Sequence, residues 1–261
     1  MEKNTELCYG GVMKDFYIYG RNAVIEQLTH NPKNLKRVFI KDGAKGTLFD
    51  DIRSLAHQAR IQVVATDEKE IKKLLKDDVI HQGVIALSKP FEYSNFETWI
   101  HELDTKTLPT VLILDHIMDV ANLGAIIRSV TAAGAAAIIV AELNQAPVTS
   151  AVYKTSAGTV GRIPLIQVGN LNQIVERLKK VGFWIAGLAM DETGGSTDLW
   201  QYTFDTPTAI VVGGEGDGIR AKTKEHCDVL LSIPMENQVE SLNASVSAAL
   251  VCYEIKRQRT L

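Results

Sequence analysis

From Thr110 onward, short apolar runs alternate with helical patterns, and the runs carry no polar interruptions: Thr110–Asp115 reads TVLILD and Pro207–Gly213 reads PTAIVVG. A strand with one face in water alternates apolar and polar side chains, whereas a strand buried on both faces is apolar throughout. The pattern therefore predicts an α/β domain, an open parallel sheet with helices on both faces. Further strands are expected at Ala136–Ala141, Pro164–Val168, Phe183–Ala189 and Val229–Ile233, and a long helix at Asn243–Arg259. In such sheets ligands bind beyond the carboxyl ends of the strands.

Upstream, the pattern is shorter-ranged. Asn22–His30, Leu48–Arg60 and Asp67–Lys76 have helical spacing, with Asp67 placed to cap the third helix. Leu35–Lys41, Ile61–Ala65 and Gly83–Leu87 read as strands. The expected organisation is a flexible tail over 1–13, a small α/β domain over 14–89, a linker over 90–108 and a larger domain over 109–261. Within the linker, Phe96, Trp99 and Ile100 have helical spacing, and so many aromatics point to packing against a neighbouring domain.

Charge separates the two parts. Residues 14–89 hold fourteen Lys/Arg against ten Asp/Glu, while residues 107–261 hold twelve against fifteen. A mildly basic front part suits a polyanionic partner, although most such imbalances are merely solvated surface. The three cysteines, Cys8, Cys227 and Cys252, form no CxxC pair, so neither a disulfide framework nor a metal site is expected, and a reducing cytoplasm fits. The longest apolar runs are strand-sized, too short to cross a membrane.

Three segments carry candidate chemistry. In Asp115–Gly134, Asn122 is placed to cap a helix, and Arg128 interrupts an otherwise apolar and small-residue stretch. Read locally, Arg128 is foremost a surface arginine whose stem lies along an amphipathic helix, and a site residue only second. In Val211–Ile219, VVGGEGDGI, a buried strand runs into four glycines interleaved with Glu215 and Asp217. The spacing is not the dinucleotide fingerprint, no Gly-Lys-Ser/Thr follows, and two carboxylates repel a pyrophosphate. The loop suits a neutral or cationic ligand; a tight structural turn is the alternative. In Ile233–Glu254, a polar loop leads through Ser241-Leu242-Asn243 into a helix rich in small residues, which either Ser241 or Asn243 can cap.

In this order and spacing, N-x-G-x-x-x-R, G-x-E-G-x-G and I-P-M followed by S-L-N-x-S-V resemble the three signature motifs of the SpoU (TrmH) family of RNA ribose 2′-O-methyltransferases, within the SPOUT superfamily. Arg220–Asp228, ending Glu225-His226-Cys227-Asp228, resembles the branch acting on large-subunit ribosomal RNA. The front domain, with Tyr19-Gly20-Arg21-Asn22 and His81-Gln82-Gly83-Val84, is similar to that branch's substrate-binding domain, itself related to ribosomal proteins that bind kinked RNA. Two departures stand out: Val120 where the family often has Pro, and Asn237 where it often has Gly. Asn tolerates left-handed geometry, so Asn237 is expected to keep the turn.

The resemblance implies a C-terminal trefoil knot, a homodimer, and S-adenosylmethionine as cofactor, contacted at Gly213, Ile233 and Leu242 with Gly214 close by. It implies that Arg128 assists attack by a ribose 2′-hydroxyl, with Asn122, Glu215, Ser241 and Asn243 orienting it and the ribose. Arg21, Asn22, Lys36, Arg37, His81 and Gln82 are the candidate RNA contacts. The expected substrate is 23S rRNA, at a guanosine. Methylation of tRNA, a non-catalytic rRNA-binding assembly role and a nucleotide-dependent oxidoreductase are the competing readings.

Overall fold

The computed structural model describes residues 15–75, 79–189, 195–237 and 239–260. The expected tail over 1–13 lies outside them. The chain divides after Glu92 into two units.

The first unit opens with β1 (Phe16–Tyr19), α1 (Arg21–His30), β2 (Leu35–Lys41) and α2 (Thr47–Gln58). It closes with β3 (Gln62–Thr66), α3 (Glu68–Leu75) and β4 (Val84–Ser88). The sheet order is β1-β4-β2-β3, with β2 and β3 parallel and the other two pairings antiparallel. Ile18, Val24, Val38, Ile52 and Val84 are fully buried and form its core. Asp67 caps α3 through its Oδ1, which accepts from the Glu70 amide at 2.8 Å. Strand β1 was not expected: four consecutive aromatic and aliphatic residues show neither the alternation of a half-buried strand nor the length of a helix.

The second unit runs through α4 (Phe96–Glu102), β5 (Thr110–Asp115), α5 (Val120–Ala133), β6 (Ala137–Ala141), α6 (Ser150–Thr155), β7 (Leu165–Val168) and α7 (Leu171–Lys180). It continues with β8 (Trp184–Leu188), β9 (Thr197–Asp198), β10 (Thr208–Gly213), α8 (Ala221–Lys224), β11 (Val229–Ser232) and α9 (Ala244–Thr260). The fold is α/β. All its strand pairings are parallel, in the order β7-β6-β5-β10-β8-β11-β9. Val111, Leu112, Ile113 and Leu114 of β5 are all fully buried, each contributing about 1.5–3 kcal/mol relative to exposure. The segment read as a linker is largely part of this unit. Ser94 bridges Ile166 of β7, and Phe96 lies in the core with Val175 and Leu178.

Strand order decides where a ligand can sit. From β5 the chain moves outward through β6 and β7, whereas β8 and β10 lie on the other side of β5, and β10 pairs directly with it. The crevice at such a switch opens between the carboxyl ends of β5 and β10. There Asp115 stands opposite Gly213 in the register.

The far end of the unit is closed by Arg259. Its Nε donates to Phe204 O, its Nη1 to Leu108 O and Thr110 Oγ1, and its Nη2 to Thr206 O and Thr208 Oγ1. One guanidinium thus ties the end of α9 to the starts of β5 and β10. The carbonyl it meets at Leu108 belongs to a residue held at φ 52, a left-handed conformation that needs such support. Arg259→Ala is expected to cost about 2–3 kcal/mol, the scale of lost hydrogen bonds to a charged group. Thermal unfolding should then begin several degrees lower; an unchanged midpoint would show that the clamp is dispensable.

Candidate active site

The glycine loop begins where β10 ends, and its geometry explains its residues. A Cβ at Gly213 would lie 2.0 Å from the Gly218 carbonyl carbon and 2.2 Å from the Ile219 nitrogen. One at Gly214 would lie 2.3 Å from the His116 carbonyl oxygen. The loop folds back on its own strand end, and Gly218 N donates to Gly214 O at 3.1 Å. Asp115 ties down both ends. Its backbone carbonyl accepts from Gly214 N at 3.0 Å, and its carboxylate accepts from Arg220 N at 3.1 Å and Arg220 Nε at 2.8 Å.

Asp115 is fully buried, and His116 Nδ1 lies 2.8 Å from its Oδ1. Burying a carboxylate is costly unless it is paired and hydrogen-bonded. Neither Asp115 nor Arg220 was singled out in the sequence. An ionisable residue ending an apolar strand was a signal for the first; nothing local marked the second. Arg220→Ala leaves this carboxylate short of donors and frees the loop. The expected result is an affinity for S-adenosylmethionine, the cofactor the sequence resemblance implies, weakened about tenfold, with Arg220→Lys partly restoring it. Calorimetric titration checks this, and equal affinities across the three proteins would exclude the tie.

Beside the loop lies a cavity of about 550 Å³ at the carboxyl ends of β8, β10 and β11, within the size range of small-molecule sites. It gathers residues far apart in sequence: Gly213, Gly214 and Glu215 from the loop, Ile233 after β11, and Ser241, Leu242 and Asn243 before α9. Among the described residues its lining includes three carboxylates, Glu215, Asp217 and Glu240, against one ammonium, Lys224. That balance favours a cationic ligand.

At its edge three segments meet. Asn122 Nδ2 donates to Glu215 Oε1, and Asn243 Nδ2 reaches both Asn122 Oδ1 at 2.9 Å and Glu215 Oε1 at 3.1 Å. Asn243 also caps α9, its Oδ1 accepting from Ser245 N at 2.9 Å. The cap of α5, expected at Asn122, is Asp119, which accepts from the Asn122 amide at 2.7 Å. Capping by Asp119 frees the Asn122 side chain for Glu215. Asn237 stands at φ 55, left-handed as expected.

Arg128 is not brought to this cluster within one chain. Six residues beyond Asn122, it lies about 9 Å further along α5 and about 120° round its axis. It is exposed and makes no hydrogen bond or ion pair among the described residues.

Burial raises the Cys227 thiol to about 11 and the Cys252 thiol to about 12, so neither offers a thiolate near neutral pH. Among the described residues no cluster of three His, Cys, Asp or Glu could hold a metal ion, and no helix is long and apolar enough to cross a membrane.

In the first unit the candidate RNA contacts divide. Arg21 Nε donates to Gln82 O at 3.2 Å, and its guanidinium lies 4.9 Å from the centre of the Phe49 ring. His81 is only 7% exposed. Its Nδ1 accepts from Gly83 N at 3.1 Å and its Nε2 lies 2.9 Å from Glu68 Oε1. Its ring therefore holds the turn from inside rather than facing solvent, unlike the surface contact expected. Asn22, Lys36 and Arg37 are exposed, with Lys36 paired to Asp15 at 2.5 Å.

Residues 109–253 match the SpoU rRNA methylase family, and residues 17–94 match the RNA 2′-O ribose methyltransferase substrate-binding family. The chain belongs to the SpoU family. A Staphylococcus haemolyticus protein assigned to the TrmH family of tRNA/rRNA methyltransferases is 36% identical over 248 residues, covering 95% of this chain and 97% of that one. The 23S rRNA (guanosine-2′-O-)-methyltransferase RlmB of Pseudomonas putida is 35% identical over 244 residues, covering 93% and 96%. The SpoU methyltransferase AviRb of Streptomyces viridochromogenes, solved with AdoMet, superimposes with a TM-score of 0.75 at 22% identity, over 94% of this chain and 91% of that one. The matched range 109–253 contains Asn122, Glu215 and Asn243, which meet at the cavity's edge.

Proposed function

We propose that this SpoU protein transfers the methyl group of S-adenosylmethionine to a ribose 2′-hydroxyl in RNA. The carrying observation is the convergence of Asn122, Glu215 and Asn243 beside a carboxylate-rich cavity floored by two glycines. The cavity fits the cofactor in size and charge, with Gly213, Gly214, Ile233 and Leu242 as its holding residues. When bound, S-adenosylmethionine supplies a methyl activated by a sulfonium charge.

The protein's own residues do the rest. Loop backbone without Cβ atoms allows close approach of a ligand. The hydrogen-bonded Asn122–Glu215–Asn243 set orients the acceptor hydroxyl, with Ser241 at the same cavity wall, so that alignment supplies much of the rate. Arg128 stabilises the negative charge that develops on the 2′-oxygen as its proton passes to water. A guanidinium stays charged, which makes it a better electrostatic partner than a base. Its exposure on α5 is compatible with a role in a site shared by two copies of the chain. The fold is further proposed to carry the trefoil knot of the SPOUT enzymes, with the segment before α9 threaded beside the glycine loop.

The first unit recruits the RNA through Arg21, Asn22, Lys36, Arg37 and the turn at Gln82, with His81 shaping that turn from within. Large-subunit rRNA in the cytoplasm, at a guanosine, is the proposed substrate, supported by likeness to the Pseudomonas enzyme across nearly the whole chain. Ribose methylation mapped in rRNA and tRNA from cells with and without the gene tests this. One guanosine in 23S rRNA should lose its mark; a gap confined to tRNA would overturn the rRNA assignment.

A further inference from the structure

We infer that a groove in the first unit, between α2 and the edge strand β3, seats one unpaired nucleotide of the RNA, with its base on an apolar floor and its phosphate toward Arg53 and His57. This rests on the reading that the first unit recruits RNA, and it adds a contact remote from the reacting groups. The groove has a volume of about 470 Å³, within the range of small-molecule sites.

The fold explains why a groove stands here. Strands β2 and β3 are parallel, and α2 crosses between them. In the sheet order β3 comes last, so its outer edge pairs with no strand among the described residues. Ile61, Val63 and Ala65 are two residues apart and share one face. With Ile40 they form the floor. Ile61 and Val63 are half-buried and Ala65 is exposed, so α2 covers this face only in part. The helix buries Phe49, Ile52 and Ala56 and leaves Arg53 and His57 exposed. Four residues apart, these two are neighbours on the helix surface.

Charge and free donors define the occupant. Among the described residues the lining sets Lys41, Arg53 and His57 against one carboxylate, Asp42. Arg53 donates to Asp50 Oδ1 at 3.1 Å and to Ala44 O at 3.2 Å, which leaves three of its five N–H groups. The His57 ring makes no hydrogen bond or ion pair among the described residues. Donors beside an aliphatic floor match the two parts of a nucleotide, an anionic phosphate and a flat base. Sequence is read at base edges, and this floor offers them no polar group, so the nucleotide is held whatever its base.

The groove also continues the surface assigned to RNA. Lys41 N donates to Gly83 O at 2.9 Å, so the turn at Gln82 adjoins the end of β2. Phe49, against whose ring the Arg21 guanidinium lies, belongs to α2. Arg21, Gln82, Lys41 and the groove thus follow one another at the carboxyl end of β2, where a βαβ unit places its ligands.

The test uses the full chain, with the His57 ring signal identified by its loss in His57→Gln. The 5′-monophosphates of adenosine, guanosine, cytidine and uridine are titrated at millimolar concentration, and at least one should move that signal. Binding of deproteinised total RNA is then measured across a salt series. Ala65→Leu fills the groove without changing charge, and His57→Glu sets a carboxylate against the phosphate. Each should weaken RNA binding about tenfold, with S-adenosylmethionine affinity and the unfolding midpoint unchanged. His57→Glu should also reduce the slope of log affinity against log salt by about one. His57→Lys should bind RNA at least as tightly as the wild type. If neither variant weakens RNA binding, or if no monophosphate moves the signal, the groove is not a nucleotide site, and the methyl-transfer reading stands untouched. A wild-type chain that binds no RNA would overturn the recruiting role, and this site with it.

Discussion

Arg128→Ala is expected to lower the methyl-transfer rate about 10²–10³-fold while leaving donor affinity and thermal stability at wild-type values; this magnitude is that of removing one preorganised group facing developing charge. The separation of effects follows from where the residue sits. Arg128 is exposed and unpaired among the described residues, and it lies outside the cavity beside the glycine loop. Surface substitutions of that kind change stability by no more than about 0.5 kcal/mol. A large loss of rate can then arise only from the reaction. Arg128→Lys keeps the charge without the planar fork and should fall between the two. Single-turnover rates at saturating donor, with the oligomeric state monitored by sedimentation, measure it. Near-wild-type turnover in Arg128→Ala would remove this residue from the proposed mechanism.

Gly213→Ala should abolish measurable donor binding. The added methyl would stand 2.0 Å and 2.2 Å from backbone atoms of Gly218 and Ile219, which cannot rotate away as a side chain would. Either the loop lifts off the end of β10, or the strand shifts against β5. Forced overpacking costs about 1–3 kcal/mol, and here the distortion falls directly on the cavity wall. Gly216→Ala is the contrast. A Cβ there meets nothing within 4 Å, and only its positive φ of 94 resists substitution. It should bind the donor with a modest loss. Calorimetry on both variants, with circular dichroism to confirm folding, separates steric closure from backbone strain. Wild-type affinity in Gly213→Ala would mean that the loop is not the binding wall.

Much of the fold was legible because strand burial writes itself into composition. The uninterrupted apolar runs at β5 and β10 announced a covered parallel sheet, and each expected strand of the second unit lies within a residue or two of an observed one. What escaped were elements too short to show a period, β1 and the two-residue β9. The cap of α5 was misplaced by three residues because Asp119 and Asn122 are both good capping residues, and only the backbone conformation at Asp119 decides between them.

The site was legible as three separate motifs, each with polar residues at fixed spacing. Their meeting was not. Sequence spacing cannot show that Asn122 and Asn243, 121 residues apart, share a hydrogen bond. Nor can it show that Asp115 and Arg220 close the loop between them, or that Arg259 clamps the opposite end. By itself, then, the sequence determined the layers, the SpoU motifs and the charge of the loop, since these depend on local burial and local chemistry. Tertiary structure alone decided the strand order, the cavity beside the glycine loop, the burial of His81 and the separation of Arg128 from the cluster. Those depend on which distant segments pack together, and a parallel sheet brings its loops together by strand position, not by order along the chain.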